Sequence, residues 1–162
     1  MKENPTDNIR QDMAEGRTSL TGYLGNDKRS IKQIIKDDAV ILDKFGVTKE
    51  TLATTMRRLT RAGMAALGDP VIESGYELSV DEWRGWLGCP FKDNRRAAKR
   101  ITYLRRLSDN KTFQWTDLNI HLIEEHGFFQ GVGAAHRIEP AELIEYLHDL
   151  LSEGTRKIFI SC

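Results

Sequence analysis

Arg57, Arg58 and Arg61 crowd into one turn of chain, and Arg95, Lys99 and Arg106 recur at i, i+4 and i+11, so each segment would carry a basic stripe if helical. The chemistry open to such stripes is electrostatic. A row of cations can follow a phosphate backbone, or it can be a solvated face paired with acidic side chains elsewhere in the fold. His121 and Glu125 share a helix face at i, i+4, with His126 beside them, and two such residues can chelate a metal. A full site needs three or four convergent ligands and HLIEEH is not an HExxH arrangement, so a packed histidine with a carboxylate partner is expected and no metal or cofactor is assigned. Cys89, between Gly88 and Pro90, has no base or oxyanion donor near it in sequence and reads as structural. Gly131 and Gly133 lack the Lys-Ser/Thr of a phosphate loop, and no paired-carboxylate or Ser-His-Asp arrangement stands out, so no catalysis is expected.

Charge is segregated although 24 basic and 24 acidic residues cancel. Residues 28–66 carry 9 basic and 4 acidic groups and residues 92–111 carry 8 and 2, whereas residues 67–91 carry 1 and 5 and residues 112–154 carry 1 and 8. Two basic blocks on a neutral chain argue against indiscriminate coating of nucleic acid and leave two outcomes open: a local basic face, or neutralisation by the acidic blocks inside the fold. With 40% hydrophobic and 30% charged residues the chain suits a soluble protein of one good core or two small ones. No run approaches the ~18 apolar residues of a membrane span and the N-terminus has no apolar signal core, so a cytoplasmic protein without membrane contact is expected. Cys89 and Cys162 offer neither a disulfide framework nor a CxxC pair.

The first arginine cluster must be positioned by the segment from Asp38 to Gly63. Leu52, Met56, Leu59 and Gly63 fall at i, i+4, i+7 and i+11, which predicts a helix over 48–62 buried along a narrow stripe, with Glu50, Thr54, Arg57, Arg58 and Arg61 on the other side. Thr48 and Thr51 stand where an N-cap hydroxyl is needed. Upstream, a helix capped by Asn26 or Asp27 is expected from Lys28 with Ile31, Ile34 and Ile35 inward, then a second from Asp38 to Phe45 with Val40, Ile41 and Phe45 inward. Downstream, Val71–Glu73 and Tyr76–Leu78 read as strands around a Ser74–Gly75 turn.

A short helix ending at Gly46, then Val47, Thr48, a helix to Gly63 and a hairpin resemble, in this order, the winged helix-turn-helix family of DNA-binding domains over about residues 28–79. Leu42 stands where that family commonly has a small residue. The resemblance implies that helix 48–62 lies in the major groove of double-stranded DNA. Lys49, Glu50, Thr51, Thr54 and Thr55 would face base edges, and Arg57, Arg58 and Arg61 would face phosphates. A protein–protein adaptor built on the same scaffold is the alternative.

Residues 80–162 are expected to form a second α+β half for homodimerisation or partner binding. Ser79–Glu82 fits a capping box opening a short helix with Trp83, Trp86 and Leu87, the tryptophans lying in a core or seam. Asp93–Leu107 is expected as a helix with Ala97, Ala98, Ile101, Leu104 and Leu107 inward and Arg95, Lys99 and Arg106 outward. A strand near 112–115, a helix from Asp117 to His126 capped by Thr116 and ended by Gly127, a loop or bent strand over 128–138 and a last helix opened by Pro140 follow. Residues 1–26 read as an arm in which Leu20, Tyr23 and Leu24 dock, and 157–160 as an edge strand. The expected fold class is mainly α with small β elements, a winged-helix-like half at 27–79 followed by a second half at 80–162. The expected function is a DNA-binding regulatory protein.

Overall fold

The computed structural model describes residues 22–152. Helix α1 spans Ile31–Phe45, capped by the Ser30 hydroxyl, which accepts the Gln33 N–H. It ends at Gly46, whose left-handed φ of 64° lets the N–H groups of Gly46 and Val47 reach the Asp43 and Leu42 carbonyls. One helix therefore replaces the two expected at 28–36 and 38–45, and the cap is Ser30. Asp27 instead binds Arg29 and the Val132 N–H. The buried stripe runs through Ile31, Ile34, Asp38 and Leu42. Val40, expected inward, falls on the far side of it and is 47% exposed; Phe45, in the last turn, is 52% exposed. Tyr23 and Leu24 are buried, while Leu20, Cys162 and the tail at 157–160 lie outside the described residues.

Helix α2 spans Lys49–Ala65, with the Thr48 hydroxyl accepting the Thr51 N–H at 3.1 Å. Leu52, Met56, Leu59 and Gly63 are buried, joined by Ala53 and Thr60. A Cβ at Gly63 would sit 2.7 Å from the Val80 side chain, so glycine is what allows the helix to approach the sheet this closely. Leu52→Ala is expected to cost about 2–5 kcal/mol in chemical denaturation and Thr54→Ala almost nothing, because only the first opens a cavity. Equal losses would mean that the two faces of α2 are the wrong way round.

The strands are β1 (Val71–Glu73), β2 (Tyr76–Gly88), β3 (Arg96–Arg106) and β4 (Thr112–Thr116), paired antiparallel in that order. This corrects the expected fold class. The protein is α+β around one four-stranded sheet, and β2 runs straight through the point where a winged-helix-like half was to end. The helices expected at 79–88 and 93–107 are the two long strands. Apolar positions three and four apart also fit a two-residue alternation when some of the alternate residues are polar, and here the β-branched and aromatic content of Val80, Trp83, Trp86, Ile101, Thr102 and Tyr103 decides for strand. Ser79 and Glu82, expected as a capping box, lie on opposite faces of β2, and Glu82 reaches Arg100 across the ladder.

The inner face of the sheet, with Tyr76, Leu78, Val80, Thr102, Leu104 and Trp115, packs on α2, on α3 (Asp117–His126) and on α4 (Pro140–Tyr146). Thr116 and Asn119 form a reciprocal capping box at the start of α3, and Gly127 ends it. Inside the core the Trp115 indole N–H donates to the Thr60 hydroxyl at 2.9 Å, which pairs with the Thr102 hydroxyl at 2.7 Å, tying β4, α2 and β3 together. A smaller cluster joins Tyr23, Leu24, Ile31 and Ile34 to Leu118, Leu122, Phe128 and Cys89. None of the described helices is long and apolar enough to cross a membrane.

Candidate nucleic-acid interface

The β2–β3 ribbon continues past the sheet, and its register shifts between Trp83 and Trp86, where two residues of β2, Arg84 and Gly85, have no partner on β3. Such a bulge bends a ribbon and re-aims its side chains. Trp83 pairs with Lys99 on the outer face, while Trp86 pairs with Ala98 on the face turned to the helices; they are 51% and 64% exposed, which corrects the expectation of a core or seam. Between the ribbon, α2 and α3 runs a groove of about 360 Å³ lined by Arg57, Arg61, Trp86, Arg95, Arg96 and Arg100 among others.

The arginines of this groove divide by partner. Arg57 is clamped by both oxygens of Glu124. Arg100 binds Glu82 at 3.0 Å and Asp117 at 2.9 Å, and those bonds, Glu82 first, raise its pKa. Burial pushes the Asp117 carboxyl up against the pull of Arg100. Arg61, Arg95 and Arg96 are exposed and form no ion pair among the described residues, and neither does Arg58, which continues the surface along α2 with Thr54.

The residues expected to face DNA therefore separate. Thr54, Arg58 and Arg61 share the open face of α2, with Glu50 and Thr51 exposed beside them. Thr51 is occupied at the cap with Thr48, Thr55 donates back to the Thr51 carbonyl at 2.9 Å, and Lys49 turns toward the Glu125 carbonyl at 3.4 Å. The expected stripe of Arg95, Lys99 and Arg106 is corrected by the strand geometry: Arg95 precedes β3, and Lys99 and Arg106, seven residues apart on it, point to opposite faces. Arg95 reaches the groove, Lys99 lies with Trp83 on the outer face, and Arg106 is held at the far end by Asp109, by the Tyr146 carbonyl and over the Tyr146 ring.

Beside the groove, at the tip of the ribbon, lies a cluster not anticipated from sequence. Cys89, Asp93, His121 and His126 bring one potential ligand atom each to within 4.8 Å of one another. Asp93 Oδ2 lies 2.8 Å from Nε2 of both His121 and His126, and Cys89 Sγ lies 3.5 Å from His126 Nε2. Burial acts to raise the Asp93 pKa, but the Arg95 N–H and the side chains of His126, Cys89 and His121 outweigh it and hold the carboxyl well below the usual range. Burial pushes the Cys89 thiol up to about 11. His121 thus has an aspartate from the ribbon as its partner, not Glu125, and the spacing Cys-x3-Asp with His-x4-His was the available signal. It was hidden because Cys89 and Asp93 meet His121 and His126 only through the packing of α3 against the turn between β2 and β3, which no local spacing encodes.

Comparison with family models, with curated proteins and with solved structures gave no match.

Proposed function

We propose that this is a cytoplasmic DNA-binding regulatory protein that grips duplex DNA with the open face of α2 and the rim of the adjoining groove. One observation carries the reading: Arg58 and Arg61 from one basic segment and Arg95 and Arg96 from another, more than thirty residues on, flank one continuous surface without acidic partners among the described residues. Unpaired guanidinium groups suit bidentate contact with phosphate, and the exposed Trp86 between them offers a flat apolar surface to sugar or base. Thr54, whose hydroxyl makes no side-chain bond among the described residues, is the α2 hydroxyl best placed to read a base edge. The succession of α1, a left-handed Gly46 and α2 supports the reading. Arg57 and Arg100 serve the fold and not the ligand.

Fluorescence anisotropy against a pool of random duplexes tests this. Affinity should fall with salt at a log–log slope of about −0.9 per phosphate neutralised. Arg61→Ala and Arg96→Ala should each make that slope shallower by about one unit, while Lys99→Ala and Arg106→Ala leave it unchanged because they sit elsewhere. No binding at low salt by folded, monodisperse protein would leave the adaptor reading in its place.

A further inference from the structure

We propose that Cys89, Asp93, His121 and His126 form a structural zinc site that staples the tip of the β2–β3 ribbon to the last turns of α3. A tetrahedral Zn²⁺ with bonds of about 2.0–2.3 Å sets its donor atoms roughly 3.3–3.8 Å apart. The four donors here already lie within 4.8 Å of one another, with closest pairs of 2.8 and 3.5 Å, so a metal ion needs only side-chain adjustment to enter. Donor chemistry fits as well: one sulfur, two imidazole nitrogens and one carboxylate oxygen are a borderline-soft set that suits zinc, whereas magnesium and calcium seek oxygen alone.

The surroundings hold these donors in place. Cys89 and Asp93 sit on a tight loop in which the Cys89 N–H bonds the Arg95 carbonyl and the Lys92 N–H returns to the Cys89 carbonyl, both at 3.0 Å. Asp93 spends its other oxygen on the Arg95 N–H at 2.9 Å, which leaves Oδ2 aimed at the histidines. The His126 ring stacks on Phe91, centroids 4.1 Å apart and 12° from parallel, and meets His121 edge-on. Such support around ligating groups fixes their orientation before a metal arrives. A turn supplying two ligands and a helix supplying two at His-x4-His is a recurrent layout of structural zinc. Four protein ligands fill the tetrahedron and leave no open position for chemistry. Arg95 and Arg96 lie two and three residues after Asp93, so the metal would also fix the groove rim; the zinc assignment itself does not depend on DNA being bound.

The test uses the full chain without nucleic acid. Apo protein titrated with Zn²⁺ in competition with a chromophoric chelator should take up one equivalent, and Co²⁺ in its place should give the intense visible bands of four-coordinate cobalt with a near-ultraviolet thiolate charge-transfer band. Cys89→Ser should remove the charge-transfer band and Cys162→Ser should keep it. Asp93→Asn or His121→Ala should weaken zinc by more than about 100-fold, since even residues behind the ligands cost 10–100-fold. Zinc should also raise the unfolding midpoint of the wild type by mass action. No stoichiometric uptake by the wild type, or a cobalt spectrum untouched by Cys89→Ser, overturns the proposal. If a variant fails to fold, the wild-type stoichiometry and midpoint shift still decide it.

Discussion

Arg137→Ala is expected to lower the unfolding free energy by about 3–5 kcal/mol, the usual consequence of stripping one partner from a buried ion pair. Arg137, 8% exposed in the loop before α4, donates to both oxygens of Asp38, which is 2% exposed on α1, at 3.0 and 3.1 Å. It also binds the Gln130 carbonyl and Glu139, so one guanidinium fastens α1, the 127–139 loop and the start of α4. Burial pushes the Asp38 carboxyl up in spite of Arg137, which shows desolvation to be the largest influence on that group. Desolvation is lifted when both charges go. The double variant Asp38→Leu/Arg137→Met should therefore recover most of what Arg137→Ala loses. Urea denaturation of the wild type, the single variant and the double variant checks this; a double variant as unstable as the single one would mean that the pair is needed for its geometry and not for the balance of charge.

Trp115→Ala should cost about as much, 3–5 kcal/mol, because it removes the largest of the fully buried side chains in the main core. Trp115→Phe separates packing from hydrogen bonding. It keeps much of the ring but leaves the Thr60 hydroxyl, still paired with Thr102, without the indole donor, so a smaller loss of about 1–3 kcal/mol is expected. Equal losses in the two variants would locate the whole effect in the hydrogen bond.

These two predictions come from the part of the chain where sequence and structure relate most differently. Helix α2 and its cap were legible because one apolar stripe, Leu52 to Gly63, and one hydroxyl, Thr48, suffice to define them. Helix α3 was legible for the same reason, with Thr116 and Gly127 at its ends. The β1–β2 turn also stood out, since two short strands around Ser74–Gly75 need only local chemistry. The long strands did not. Their inward residues include Arg100 and Thr102, held by Glu82, Asp117 and Thr60 from elsewhere in the fold, so the alternation that marks a strand was masked by polar groups with distant partners. Tertiary pairing overrode the local helix pattern.

That misreading carried through to the site. Read as a helix, residues 95–106 put Arg95, Lys99 and Arg106 in one row; as a strand they scatter, and Arg96, two tryptophan faces and the Cys89–Asp93 turn come forward instead. Arg58 and Arg61 were identified correctly as exposed cations, whereas the locking of Arg57 by Glu124 depends on how α2 packs on α3, which no local pattern encodes.

The proposed placement of DNA against the groove can be tested with the tryptophans, because the three differ in setting: Trp86 on the groove, Trp83 on the outer face, Trp115 buried. Titrating duplex DNA at low salt while following tryptophan fluorescence should quench the wild type and Trp83→Phe alike, and should leave Trp86→Phe nearly unchanged. Quenching that disappears with Trp83 and survives the loss of Trp86 would put the nucleic acid on the outer face of the sheet and contradict the account.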